Sequence, residues 1–153
     1  MNDIVRDAFA AFAAEAAGVP TVSLRAGDAR DDHLPPPSFD PLLDRVDDDY
    51  LHRYRWGIGY LDAFSWRHYL PRLIEHAVRC HRAGSDVTDR LLHDLRPPDR
   101  DGRFASLSAD QEAALVRLLD LLAFSEASPH ADDARTALEE WWAPGALYRP
   151  ARA

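Results

Sequence analysis

From Ser108 to Phe124 the chain reads SADQEAALVRLLDLLAF. Leu115, Val116, Leu118, Leu119, Leu121 and Leu122 recur there at three- and four-residue spacing, which is the period of a helix and not the strict alternation of a strand. The apolar stripe is wide, so this helix is predicted to be the most buried one in the chain. Ser108 followed by Gln111 marks its start as a capping box, in which each side chain satisfies the other residue's backbone N–H. A helix of this kind needs partners for its apolar face, and the rest of the chain offers mainly other helices.

Residues 3–17 carry Val5, Ala8, Phe9, Phe12 and Ala16 at helical spacing, with Gly18 and Pro20 as stop signals. Asp40 as N-cap with Pro41 at N1 predicts a second helix, with a stripe of Leu42, Leu43, Val46, Tyr50 and Tyr54 and an end at Gly57 and Gly59. Ser85 is placed to cap a short helix that Pro97 and Pro98 close, and residues 99–104 (DRDGRF) read as a turn. Ser128–Pro129 opens a closing helix with Ala131, Ala134, Leu138, Trp141 and Trp142 inward, stopped by Pro144–Gly145. Residues 19–40 show no periodicity. Three consecutive prolines there favour an extended strap anchored by Val22, Leu24, Leu34 and Phe39, with a short edge strand near residues 22–24. The fold expected is all-α: a single compact domain of five or six helices over residues 1–148, a long proline-rich strap after the first helix, and a loose C-terminal tail at 149–153.

At 153 residues such a domain buries about 68–70% of its unfolded surface and needs no disulfide framework. A single cysteine cannot form an internal one, which fits a reducing compartment. The N-terminus lacks a basic region and is interrupted by Asp7 and Glu15, so it reads as an amphipathic helix and not a leader. No run approaches the length of a membrane span. These features predict a soluble, cytoplasmic protein. The formal charge is −8, and all 18 basic residues are arginines interspersed with acids. That balance argues against nucleic-acid backbones and anionic membrane surfaces as partners.

The densest chemistry lies in FSWRHYLPRLIEHAVRCH, residues 64–81. Proline costs about 3 kcal/mol inside a helix and nothing at N1, so a helix is expected to begin near Pro71 after a short turn, with a kinked continuous helix as the alternative. Its inward stripe would be Leu73, Ile74, Ala77 and Val78, with His81 continuing it near the C-terminal carbonyls. Cys80 falls on the flank and His76 beyond it, toward solvent. His76 and Cys80 are i,i+4 and could share a zinc ion, but no second ligand pair has suitable spacing. Trp56, Trp66, Arg67, His68, Tyr69 and His81 are the candidate binding residues, because aromatic residues and arginine dominate interface hot spots. The Asp47–Asp48–Asp49 run fans around a helix as a solvated face. DRDG lacks the later ligands of a calcium loop, GIG lacks the third glycine of a dinucleotide fingerprint, and Glu139–Glu140 do not face each other. No G-x-S-x-G, H-E-x-x-H or P-loop pattern occurs, and no cofactor or catalytic residue is assigned.

Tyr69–Leu70–Pro71, Leu107–Ser108 with Gln111, and the closing helix segment from Leu138 to Trp142 resemble a family of small bacterial proteins known only as a domain of unknown function. The likeness covers the last two thirds of the chain. It departs from the family where His68 precedes Tyr69, since members more often show Tyr-Tyr. The resemblance implies no catalysis, cofactor or substrate.

Three functions compete. The first is a non-enzymatic protein-interaction module whose partner is another protein: an adaptor, a regulator or an immunity-type inhibitor of a toxin. The second is a small-molecule binder or enzyme with a pocket near Trp56, His68, Tyr69 and His81. The third is a metal protein using His76 and Cys80. Acidity, the strap and the aromatic residues favour the first.

Overall fold

The computed structural model describes residues 2–151; Met1 and the end of the expected tail, residues 152 and 153, lie outside the described residues. The regular structure is all helical, and no strand occurs among the described residues. In order come α1 (Asn2–Ala11), α2 (Ala13–Ala17), α3 (Leu24–Asp31), α4 (Asp48–Arg53), a 3₁₀ turn (Arg55–Tyr60), α5 (Ala63–Arg79), α6 (Asp86–Asp94), α7 (Ala109–Phe124) and α8 (Ala131–Ala137), which continues as a π-helical turn (Leu138–Trp142). Helices α5 and α7 pack together at the centre. Helices α1, α2 and α6 contact α5, while α1 and α8 contact α7.

Helix α5 continues through Pro71. Asp62 caps it by accepting the Ser65 N–H at 2.8 Å, eight residues ahead of the expected start. The reason is burial. Trp66, Tyr69 and Leu70 precede the proline and are fully inside the core. Burying one such side chain is worth roughly 1.5–3 kcal/mol, so the three together exceed the roughly 3 kcal/mol that an internal proline costs. Downstream, Leu73, Ile74, Ala77 and Val78 point inward as the spacing predicts. Helix α7 has its predicted capping box, Ser108 with Gln111, and buries Leu115, Leu118, Leu119 and Leu122. Ser85 caps α6 as predicted.

The closing helix begins at Ala131 and not at Ser128–Pro129, whose serine makes no cap bond, and two further segments depart from expectation. Residues 24–31, read as part of the strap, form α3, with Ser23 accepting the Ala26 N–H at 2.9 Å. No edge strand forms beside it, because α5 side chains take the amides a strand would use: Val22 N–H donates to Ser65 Oγ and Leu24 N–H to the Tyr69 hydroxyl. The second helix does not begin at Pro41. It starts at Asp48, where Asp47 accepts the Tyr50 N–H. Asp40 does accept the N–H groups of Leu42 and Leu43, as a cap would, but only a single turn follows. Leu42 and Leu43 consequently point into solvent, 87% and 60% exposed.

The glycines read as the stop of that helix serve a different purpose. Helix α3 crosses the 3₁₀ turn so closely that a Cβ on Gly27 would lie 2.5 Å from the Gly57 carbonyl oxygen. A Cβ on Gly57 would in turn overlap the Leu24 carbonyl and approach the Asp28 amide at 2.8 Å. Below this crossing Arg103 is 1% exposed, donating to the Ile58 carbonyl at 3.2 Å and lying over Trp66. Gly57→Ala should therefore destabilise the fold by about 2–3 kcal/mol through forced backbone separation. At Gly59 the obstacle is the end of the Arg90 side chain and not backbone, so Gly59→Ala should cost less. Thermal melts of the two variants check the order, and equal melting temperatures would refute the close crossing.

Candidate functional site

Residues 34–43 form an exposed loop stiffened by Pro35, Pro36, Pro37 and Pro41, and its base is clamped. Asp44 is buried and accepts from Arg25 Nε at 3.1 Å and Nη2 at 3.0 Å in a two-pronged pair. The same carboxylate accepts the Asp40 N–H and the Tyr50 hydroxyl, both at 2.8 Å, while Arg25 Nη2 also donates to the Ser38 carbonyl. Burial works against the ionised Asp44, but the Arg25 guanidinium, the Asp40 amide and the Tyr50 hydroxyl outweigh it and hold its carboxyl below the usual range. Burial, with the carboxylate beside it, pushes the Tyr50 phenol far up. This clamp holds the Ser38 carbonyl and the Asp40 amide at the base of the loop, with Leu42 and Leu43 exposed beyond them.

A second constellation joins three helices. His76, expected in water, is 7% exposed, because the start of α4 and the start of α6 close over that flank of α5. Its Nδ1 lies 3.1 Å from Asp48 Oδ1 and its Nε2 lies 2.6 Å from Ser85 Oγ. Arg79 grips the same Asp48 carboxylate through both terminal nitrogens, at 2.6 and 3.0 Å. The Arg79 guanidinium first, and His76 second, hold the Asp48 carboxyl far below the ordinary range. Ser85 Oγ accepts the N–H groups of Val87 and Thr88, so its own hydrogen goes to His76 Nε2, and His76 Nδ1–H faces Asp48. A second histidine meets the same residue. His130 Nε2 accepts the Ser85 N–H at 3.0 Å, and its Nδ1 is 3.0 Å from Asp89 Oδ1, a contact not aligned as a hydrogen bond.

The residues singled out in the sequence are spread through the fold. Trp66 and Tyr69 are core residues. Arg67 and His68 fasten α2 to α5: Arg67 Nε donates to Glu15 Oε2 at 3.1 Å, and His68 Nδ1 donates to the Glu15 carbonyl at 2.8 Å. His81 is buried and donates from Nδ1 to the Val78 carbonyl at 2.7 Å, at the end of its own helix. Only Trp56 is open, 45% exposed, with the guanidiniums of Arg55 and Arg90 at 5.3 and 5.4 Å from its ring. It lines a shallow concavity of about 350 Å³ together with Asp86, Asp89 and His93; none of His68, Tyr69 and His81 reaches it. Both ring nitrogens of His76 have protein partners and Cys80 is a free, half-buried thiol. No cluster of three or more potential metal ligands occurs among the described residues. Sequence spacing missed the Asp48–His76–Ser85 line because its members lie on three helices. The one local signal was Ser85 at a helix start.

The model of a family of unknown function, DUF6714, matches residues 1–146. The chain belongs to this family. The match extends beyond the last two thirds and takes in α1, the clamped loop and α3, so these parts belong to the DUF6714 domain as much as the Tyr69–Leu70–Pro71 segment does. No curated protein and no solved structure matches the chain. Roles for individual DUF6714 residues therefore rest on geometry.

Breaking a buried ion pair from one side costs about 3 kcal/mol. Asp44→Ala should accordingly lower the melting temperature by roughly 6–12 °C and open residues 34–43 to limited proteolysis. Asp44 and Asp48 both have lowered carboxyl values, so their stabilisation is complete above about pH 4 and disappears as the pH falls below it. The contribution of half-exposed Asp48 is reduced by solvent screening. Melts on acidification should show wild type losing more stability than Asp44→Asn; parallel curves would refute the clamp.

Proposed function

We propose that this DUF6714 chain is a protein-interaction module, an adaptor, regulator or immunity-type inhibitor, that meets its partner through residues 34–43. The observation that carries this reading is the outward pair Leu42–Leu43 on a proline-stiffened loop whose base is held by a buried carboxylate. Two leucines moved from water into a partner's pocket supply roughly 3–6 kcal/mol of gross apolar transfer. The clamp and the prolines remove much of the ordering cost that a flexible loop would bear on binding. Asp47 and Asp49, exposed just beyond the loop, and the formal charge of −8 suit a partner whose pocket is rimmed by cations. The free Cys80 suits the cytoplasm, where thiols stay reduced. No helix among the described residues is long and apolar enough to cross a membrane. The half-exposed Trp56 between two guanidiniums supports a second reading, a small-molecule site in its concavity.

A photoreactive phenylalanine analogue placed at position 42 or at exposed Leu147 separates these readings. Irradiation in the source cell should give one discrete adduct from position 42 and none from position 147. Leu43→Asp should abolish the adduct while leaving the melting temperature within about 2 °C, as expected for an exposed position. Equal adducts from both positions, or none from position 42, would sink the docking role of the loop.

A further inference from the structure

We propose that Ser85 is a nucleophile toward carboxylic esters, with His76 as its general base and Asp48 as the positioning residue behind the histidine. This adds a covalent chemistry to the docking role and does not depend on it. The relay has the required roles in the required order: hydroxyl to imidazole at 2.6 Å, and imidazole to carboxylate at 3.1 Å through the other ring nitrogen. The hydrogen-bond donors around Ser85 place its hydroxyl proton toward His76 Nε2 and select the tautomer that can receive it. Arg79 keeps Asp48 ionised, so the carboxylate is ready to stabilise an imidazolium.

The backbone presents the hydroxyl. Gly84, at φ +77°, makes the sharp turn between α5 and α6 that leaves Ser85 half-buried at its tip. His130 holds the Ser85 amide from the far side. The N–H groups of Val87 and Thr88, at the start of nine-residue α6, bind Ser85 Oγ itself and favour negative charge on that oxygen as its proton leaves. The Thr88 hydroxyl in that same turn is buried and has no hydrogen-bond partner. A helix cap explains the two amide bonds to Ser85 Oγ, but it requires neither a tautomer-fixed histidine nor the ion pair behind it.

The step balances as follows. Ser85 Oγ bonds to the ester carbonyl carbon while its proton passes to His76 Nε2. The carbon–oxygen bond to the alcohol then breaks, and the departing oxygen takes that proton. Water attacks the acyl carbon by the same route, its proton moving through His76 back to Ser85 Oγ as the carboxylic acid leaves.

A fluorophosphonate probe applied to the full chain, followed by intact mass and peptide mapping, tests the inference on the wild-type protein. One phosphonate per chain, mapped to Ser85, is expected, together with hydrolysis of p-nitrophenyl acetate that the probe blocks. His76→Gln keeps the serine cap and should slow labelling by about 100-fold or more. No adduct on wild type, an adduct elsewhere, or a folded His76→Gln protein that labels as fast as wild type would overturn the assignment. The wild-type mapping decides the matter even if the variant does not fold.

Discussion

The inner face of α5 is the constraint on which the other elements depend. Trp66, Tyr69, Leu70, Leu73, Ile74 and Ala77 form one continuous buried stripe, and keeping it continuous requires the helix to pass through Pro71. Because the helix is unbroken, the angular position of every later residue is set from Asp62 onward. His76 then faces α4 and α6, and His81 ends against its own last turn. From the same helix Ser65 and Tyr69 receive the amides of Val22 and Leu24, which positions α3, and α3 carries Arg25 to Asp44. A single buried surface thus reaches both the clamped loop and the Ser85 turn.

Around this core three carboxylates each collect several partners. Glu15 holds Arg67 and Gln111 by its carboxylate and His68 by its carbonyl, binding α2 to α5 and α7. Asp44 collects Arg25, Tyr50 and the Asp40 amide, and Asp48 collects Arg79 and His76. Each carboxylate gathers at least one partner from a distant segment: Arg67 for Glu15, Arg25 for Asp44 and Arg79 for Asp48. At the C-terminal end Arg149 reaches back to Glu112 and lies over Trp141, which ties the chain after Tyr148 to α7.

Much of this fold was legible in the sequence. The stripe of α7, its capping box, the cap of α6 at Ser85 and the inward tryptophan of the closing helix all follow from residue period and terminal chemistry. These are local properties, fixed within a few turns. The departures share a physical cause as well. Pro71 looked like a helix start because its local cost was visible while the burial of Trp66 and Tyr69 was not. Leu42 and Leu43 looked like core because they fit a helical stripe with Val46 and Tyr50. The turn after Asp40 stops at Asp44, whose side chain turns inward to an arginine nineteen residues earlier. Gly57 looked like a stop signal, but its role is to let α3 approach.

What the sequence by itself determined is the all-α class, most helix positions and the membership of an interspersed, acidic surface, because these depend on spacing and composition. Tertiary structure alone decided which polar residues meet. Asp48, His76 and Ser85 lie on three helices, and Arg25 and Asp44 on two segments, so no period along the chain relates them. Their contacts exist only once the apolar stripes have packed, since it is packing that brings distant helix ends within hydrogen-bond reach.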